Sequence, residues 1–115
     1  MRRGEIRLLD FDPVRSSEAN KRRPAVIVSN DGATATAARL GRGVVTVVPV
    51  TSNIENVRRF QVLLPALSTG LSRDAKAQAE QVRAVAVDRL GARVGALPQM
   101  LVRELDDALR LHLAL

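Results

Sequence analysis

Apolar residues fall in short bursts along most of this chain and change their spacing only near its end. Ile6–Phe11 reads as a first strand, stopped by Asp12-Pro13. Residues 13–23 carry no apolar period and form a long polar loop. After Pro24, Ala25–Val28 is a short β-branched run of the kind found in buried strands. Asn30-Asp31-Gly32 is a turn signal, and the Ala/Thr-rich 33–40 has room for a short helix. Gly43–Val50 holds five valines in eight residues and is the strongest strand of the chain. It ends at Thr51-Ser52-Asn53, and 52–59 forms a second polar loop. Phe60–Leu64 is the next strand, and Ser68-Thr69-Gly70 turns the chain. Ala77–Val87 alternates as one longer strand, with Ala79, Gln81, Arg83 and Val85 on one side, and Gly91–Leu97 closes the series.

From Pro98 the period changes. Leu101, Leu105, Ala108 and His112 fall on one helical stripe, and Pro98 suits a first helical turn. Five or six short strands followed by one amphipathic helix, without βαβ alternation, predict a mainly β protein with a C-terminal helix. The strands form a small, strongly curved antiparallel sheet or barrel. At 115 residues the chain is a single domain, 1–115, with no repeat or linker to divide it.

Composition narrows the chemistry. There is no cysteine, which excludes disulfides, thiolate zinc sites and cysteine nucleophiles. His112 is the single histidine, so a two-histidine acid–base pair cannot form within one chain. Its place on the helical stripe, near the negative end of the helix dipole, reads as structural. Asp106-Asp107, beside Arg103 and Arg110, reads as a solvated helix face; no metal site and no cofactor is expected. The longest strongly apolar stretch, Val44–Val50, falls far short of the ~20 residues of a membrane helix. No signal core follows the basic start, so the expected location is the cytoplasm. Phe11 and Phe60 are the only aromatics, so the core is built from Val, Leu, Ile and Ala. The net charge of +6 is carried by 16 Arg and by Lys21 and Lys76. Such an excess favours a polyanionic partner, and equally serves solubility.

The candidate chemistry sits in the two polar loops. The first is eleven residues long, where connections average about 4–6. It carries Arg15, Lys21, Arg22 and Arg23 with one carboxylate, Glu18. Arg23 directly precedes a strand, so its backbone is held while its planar guanidinium faces the loop, suited to gripping phosphate with two parallel bonds. The same residues also fit a plain solvated loop. Thr51-Ser52-Asn53 can contact an anion or simply cap the strand. If strands 25–28 and 44–50 pair, Arg23 and Thr51 approach one another.

An ordered set of short motifs spans the chain from residue 3 onward. They are Arg3-Gly4-Glu5-Ile6, Asp10-Phe11-Asp12-Pro13, Ser17-Glu18, Arg23-Pro24-Ala25-Val26-Ile27-Val28-Ser29-Asn30, Val48-Pro49-Val50-Thr51-Ser52 and Glu80-Gln81-Val82-Arg83. In this order and spacing the chain resembles the MazF/PemK toxins. The resemblance implies an SH3-like, plasmid-maintenance-toxin barrel and a sequence-specific, ribosome-independent endoribonuclease of a type II toxin–antitoxin pair. It implies a homodimer that cuts single-stranded RNA without a metal and is silenced by a MazE-like antitoxin. Arg23, Thr51 and Glu18 match the family's catalytic positions. Ser17, Asn20, Lys21, Arg22, Ser52, Asn53, Arg58 and, with thinner support, Gln81 fall where RNA would lie. The grooves would sit near the dimer interface, bordered by loops 13–23 and 52–59.

The implied reaction is attack of the RNA's 2′-hydroxyl on the adjacent phosphorus, leaving a 2′,3′-cyclic phosphate and a 5′-hydroxyl. Arg23 would stabilise charge developing on phosphorus, and Thr51 would donate to a non-bridging oxygen. Glu18 would accept the 2′-hydroxyl proton or orient Arg23. Two positions depart from the family pattern: Arg7 stands where a tryptophan is usual, and Ser16 where a glycine is usual. Two other readings stay open, a barrel that binds RNA or a peptide without cutting, and a toxin acting on DNA topology machinery. The pairing of Arg23 with Thr51 disfavours the latter.

Overall fold

The computed structural model describes residues 1–10 and 22–115; residues 11–21 lie outside its described part. Among the described residues, seven strands and three α-helices run in the order β1 Glu5–Asp10, β2 Arg22–Ile27, α1 Asp31–Leu40, β3 Val44–Thr51, β4 Gln61–Leu64, α2 Ala66–Thr69, β5 Ala75–Gln78, β6 Arg83–Ala86, β7 Leu90–Ala96 and α3 Gln99–Leu113. The strands pair throughout in antiparallel fashion in one sheet, ordered β4-β5-β3-β2-β1-β7, with β6 also on β3. The expected class, mainly β with a C-terminal helix, is what folds.

The valine-rich β3 is the hub. One edge pairs with β2, from Ala25↔Pro49 to Ile27↔Val47. The other edge serves both β5 and β6, and the register shows how. Val47 lies opposite Arg83 and Val50 opposite Ala77, so three steps on β3 are matched by six on its partner. The surplus is taken up by a 3₁₀ turn, Ala79–Gln81. The single strand expected over Ala77–Val87 is thus two strands interrupted by that turn. Period-2 alternation continues through a short 3₁₀ insertion in the sequence, which is why it conceals the break.

β2 and β3 are buried on both faces and separate two cores. Val26, Val48 and Val50 face one, which α3 covers with Leu101, Leu105 and Ala108. Ala25, Ile27, Val45 and Val47 face the other, which takes Ala37 of α1. Leu105 keeps 2% of its surface exposed. Residues 110–115 at the end of α3 are exposed, and His112, expected on the apolar stripe, is among them. Pro98 occupies the N-cap rather than the first turn.

Two turn signals became helix termini. Asn30 accepts from the Ala33 amide at 2.8 Å, capping α1, and Asp31 sits in the first turn, where its charge complements the dipole. Asn-Asp serves a turn and an N-cap with the same side-chain acceptor, so the sequence alone does not separate them. Ser68-Thr69-Gly70 likewise ends the short α2, with Gly70 at φ 86 as its left-handed cap. Arg7 bonds to its neighbours: it donates to Glu5 at 3.2 Å and to the Gly91 carbonyl at 2.9 Å, joining β1 to β7.

Candidate functional site

β2 begins at Arg22, so Arg22 and Arg23 belong to a strand and not to the loop in which the sequence placed them. That changes what holds them. Arg23 is opposite Leu9 of β1, and continuing the β2–β3 register two residues past Ala25↔Pro49 sets it opposite Thr51. Directly paired residues of antiparallel strands project to the same face. The approach expected of Arg23 and Thr51 is therefore a consequence of sheet register.

Both residues line one cavity of about 380 Å³. Arg22, Arg23 and Arg73 supply its charge, Ser52 and Ser72 further hydroxyls, and Val50, Leu71 and Ala75 an apolar floor. Among the described residues, no carboxylate lines the cavity and none of the three arginines makes an ion pair. The cavity is thus a cationic recess rich in guanidinium donors, suited to an anion that accepts several hydrogen bonds.

The hydroxyl of Thr51 is oriented by its neighbour. The Asn53 amide donates to Thr51 Oγ1 at 3.2 Å, which occupies an acceptor site and leaves the O–H to donate. Asn53 in turn accepts from the Glu55 amide at 3.1 Å, so the 52–59 loop leaves the strand through two consecutive Asx/ST-type turns. At the loop's far end, Arg58 and Gln61 are cross-bonded, Arg58 N to Gln61 Oε1 at 3.0 Å and Gln61 N to the Arg58 carbonyl at 2.9 Å. Gln61 Nε2 then donates to Glu80 at 2.8 Å.

Of the residues singled out in the sequence, Arg22, Arg23, Thr51 and Ser52 meet in the cavity. Asn53 and Arg58 stand in the exposed adjoining loop, and Gln81 is exposed on the 3₁₀ turn outside the cavity lining. Ser17, Glu18, Asn20 and Lys21, with Arg15 and Ser16, lie outside the described residues. Sequence reasoning missed Ser72 and Arg73, which sit in a connection with no pattern of its own. It also passed over Lys76, whose signal was its rarity, one of two lysines in an arginine-rich chain. Among the described residues, no three His, Cys, Asp or Glu side chains cluster as metal ligands. Asp106 and Asp107 are instead paired with Arg3 at 2.6 Å and Arg110 at 3.0 Å.

Residues 2–113 match the family model described as the PemK-like, MazF-like toxin of type II toxin–antitoxin systems. The chain belongs to this family. It is 62% identical over 115 residues to endoribonuclease MazF9 of Mycobacterium tuberculosis, covering all of this chain and 98% of that protein. It is 27% identical over 116 residues to endoribonuclease EndoA of Bacillus subtilis, covering 100% of this chain and 96% of that one. Among solved structures it resembles MazF of Deinococcus radiodurans, with a TM-score of 0.75 and 25% identity over 100% of this chain and 97% of that chain. A mycobacterial endoribonuclease in complex with its cognate antitoxin shares the fold, with a TM-score of 0.76 and 21% identity over 100% of this chain and 96% of that chain.

Proposed function

We propose that this chain is the endoribonuclease toxin of a type II toxin–antitoxin pair and that it cuts single-stranded RNA at the Arg23–Thr51 cavity. The observation that carries the reading is that these two residues line one cationic recess whose described lining residues include no carboxylate. The family match and the endoribonuclease relatives support the activity.

The chemistry requires little beyond placement and charge. The RNA's 2′-oxygen attacks the adjacent phosphorus, the bond from phosphorus to the 5′-oxygen breaks, and the products are a 2′,3′-cyclic phosphate and a 5′-hydroxyl. Negative charge grows on the non-bridging oxygens as the attack proceeds. Arg23, permanently cationic, stabilises it there, and Thr51 donates its free O–H to one of those oxygens. Arg23 is a poor proton donor near neutral pH, so Glu18 takes the 2′-hydroxyl proton, directly or through water, and the leaving 5′-oxygen takes its proton from water. Holding the 2′-oxygen in line with the leaving 5′-oxygen supplies a further part of the acceleration. No step calls for a metal ion.

The same positive recess suits an acidic segment of a MazE-like antitoxin, which would compete with RNA for the arginines. This agrees with a mycobacterial relative solved with its cognate antitoxin. The active form is a homodimer acting in the cytoplasm; no described helix is long and apolar enough to cross a membrane.

The test is incubation with a defined mixed-sequence single-stranded RNA in EDTA, followed by chemical mapping of both new ends. Cyclic-phosphate and 5′-hydroxyl ends at a recurring sequence are expected. Ends bearing 5′-phosphate, or activity that returns only on adding a divalent ion, would overturn the mechanism. RNA binding without any cleavage would leave a binding barrel.

A further inference from the structure

Among the described residues, Lys76 is the one charged side chain taken into the interior, with 8% of its surface exposed. It lies on β5 between Thr51 of β3 and Leu63 of β4 in the sheet register. Its Nζ donates to the Glu55 carbonyl oxygen at 2.9 Å. Among the described residues, no carboxylate lies within ion-pair distance of it. Burying an ammonium against a single backbone carbonyl is unfavourable for packing alone, because an apolar side chain of the same length fills the space without desolvation. The bond to Glu55 is what the charge achieves.

That bond falls at a sensitive place. Residues 52–59 are exposed, and the bonds near Thr51 are local to the loop's own first residues. The far end is fastened at Gln61. Between them, Asn56 adopts φ 53, a left-handed conformation that a side chain makes less favourable. Lys76 grips the carbonyl immediately before it and so ties the middle of the loop to the sheet beside Thr51.

The geometry points to Lys76 as a positioning residue for RNA, one that locks the 52–59 loop at Glu55 in its receiving shape without touching the phosphate. This rests on the endoribonuclease reading. A preformed loop spares the ordering cost that RNA would otherwise meet on binding. Loss of the lock should therefore weaken binding more than it slows the chemical step.

The experiment compares the wild-type protein with Lys76→Met and Lys76→Arg, using a single-stranded RNA oligonucleotide that the wild type cleaves. Lys76→Met should raise KM about tenfold and leave kcat within about twofold, the pattern of a lost binding contribution. Lys76→Arg, which keeps a long cationic donor, should recover most of that loss. The slope of log affinity against log salt should stay unchanged, because no phosphate contact is removed. Hydrogen exchange without RNA should quicken at amides 53–57 and not in β2 or β3. Lys76→Gln carries the same expectations if Lys76→Met does not fold.

An unchanged KM would overturn the assignment, as would a salt slope reduced by about one, which marks a direct phosphate contact. So would a Lys76→Arg variant no better than Lys76→Met. A wild type that neither binds nor cuts RNA would sink the endoribonuclease reading along with it, whereas a cleaving wild type with an indifferent Lys76 would sink this inference alone.

Discussion

Arg3 and Asp106 meet at 2.6 Å, 103 residues apart in the chain. The same arginine donates its Nε to the Val28 carbonyl at 2.8 Å, and its amide donates to Asp31 at 2.7 Å. One residue near the N-terminus therefore binds α3, the end of β2 and the first turn of α1. Both side chains keep about a third of their surface exposed (31% and 29%), so the ion pair by itself is screened and modest. The bond to Val28 adds a backbone acceptor that loses its partner on truncation. Arg3→Ala should cost about 1–3 kcal/mol, read as a lowered denaturant midpoint with an unchanged m-value. Asp106→Asn should cost less. Equal losses for the two would show that the backbone bond contributes nothing.

Arg23→Ala should reduce the cleavage rate by at least about a hundredfold, the scale on which a donor to developing transition-state charge acts. Single-turnover cleavage at saturating RNA measures it, with affinity read separately. Near-normal cleavage would remove Arg23 from the chemistry.

Thr51→Val keeps the shape of the side chain and removes its hydroxyl. Cleavage should fall about 10- to 100-fold, consistent with one hydrogen bond to a charged group, while Thr51→Ser retains most of the activity. Amide exchange at Asn53 should also rise in the valine variant, because that amide loses its acceptor. Equal activity in both variants would confine Thr51 to capping the strand.

Gly95→Ala tests a close approach between β7 and the end of α2. A Cβ on Gly95 would be driven into the Thr69 carbonyl oxygen at the end of α2, and backbone cannot yield as a flexible side chain would. The variant should be destabilised by about 1–3 kcal/mol, as overpacking is, read as a lowered denaturant midpoint. A stable variant would mean that α2 moves freely against β7.

RNA affinity should fall steeply with salt, since Arg22, Arg23 and Arg73 share the cavity and release counterions together. Arg73→Ala should flatten the slope of log affinity against log salt by about one. An unaltered slope would place Arg73 off the RNA path.

Much of this site could be seen in the sequence because its two central residues mark strand ends. The valine run set where β3 stops, while β2 starts two residues earlier than Pro24 suggested, and the pairing of the two strands brings Arg23 and Thr51 to one cavity. What stayed hidden depends on partners chosen only in three dimensions. Nothing local to Ala77–Val87 reveals that β3 imposes two registers on it. Asn30 looks the same whether it closes a turn or opens a helix. Lys76 and Arg73 sit in segments with no functional pattern, and they matter through what the fold lays over or opposite them. His112 shows the converse, a helical stripe that continues in sequence into residues the fold leaves exposed.

The three-residue surplus absorbed at Ala79–Gln81 also sets where this protein can vary in length. Side chains on a strand alternate between faces, so one residue inserted or deleted within the turn would force β5 or β6 to slip and turn its contents over. A slip of β5 would exchange Lys76 for Ala75 or Ala77 opposite Thr51. The 52–59 loop is held only at its two ends and at the Glu55 carbonyl, and between those points added length costs only slowly growing closure entropy. Lengthening and shortening among related chains should therefore collect in that loop, which would adjust RNA preference, while the spacing from Lys76 to Arg83 stays fixed like the pitch of a thread.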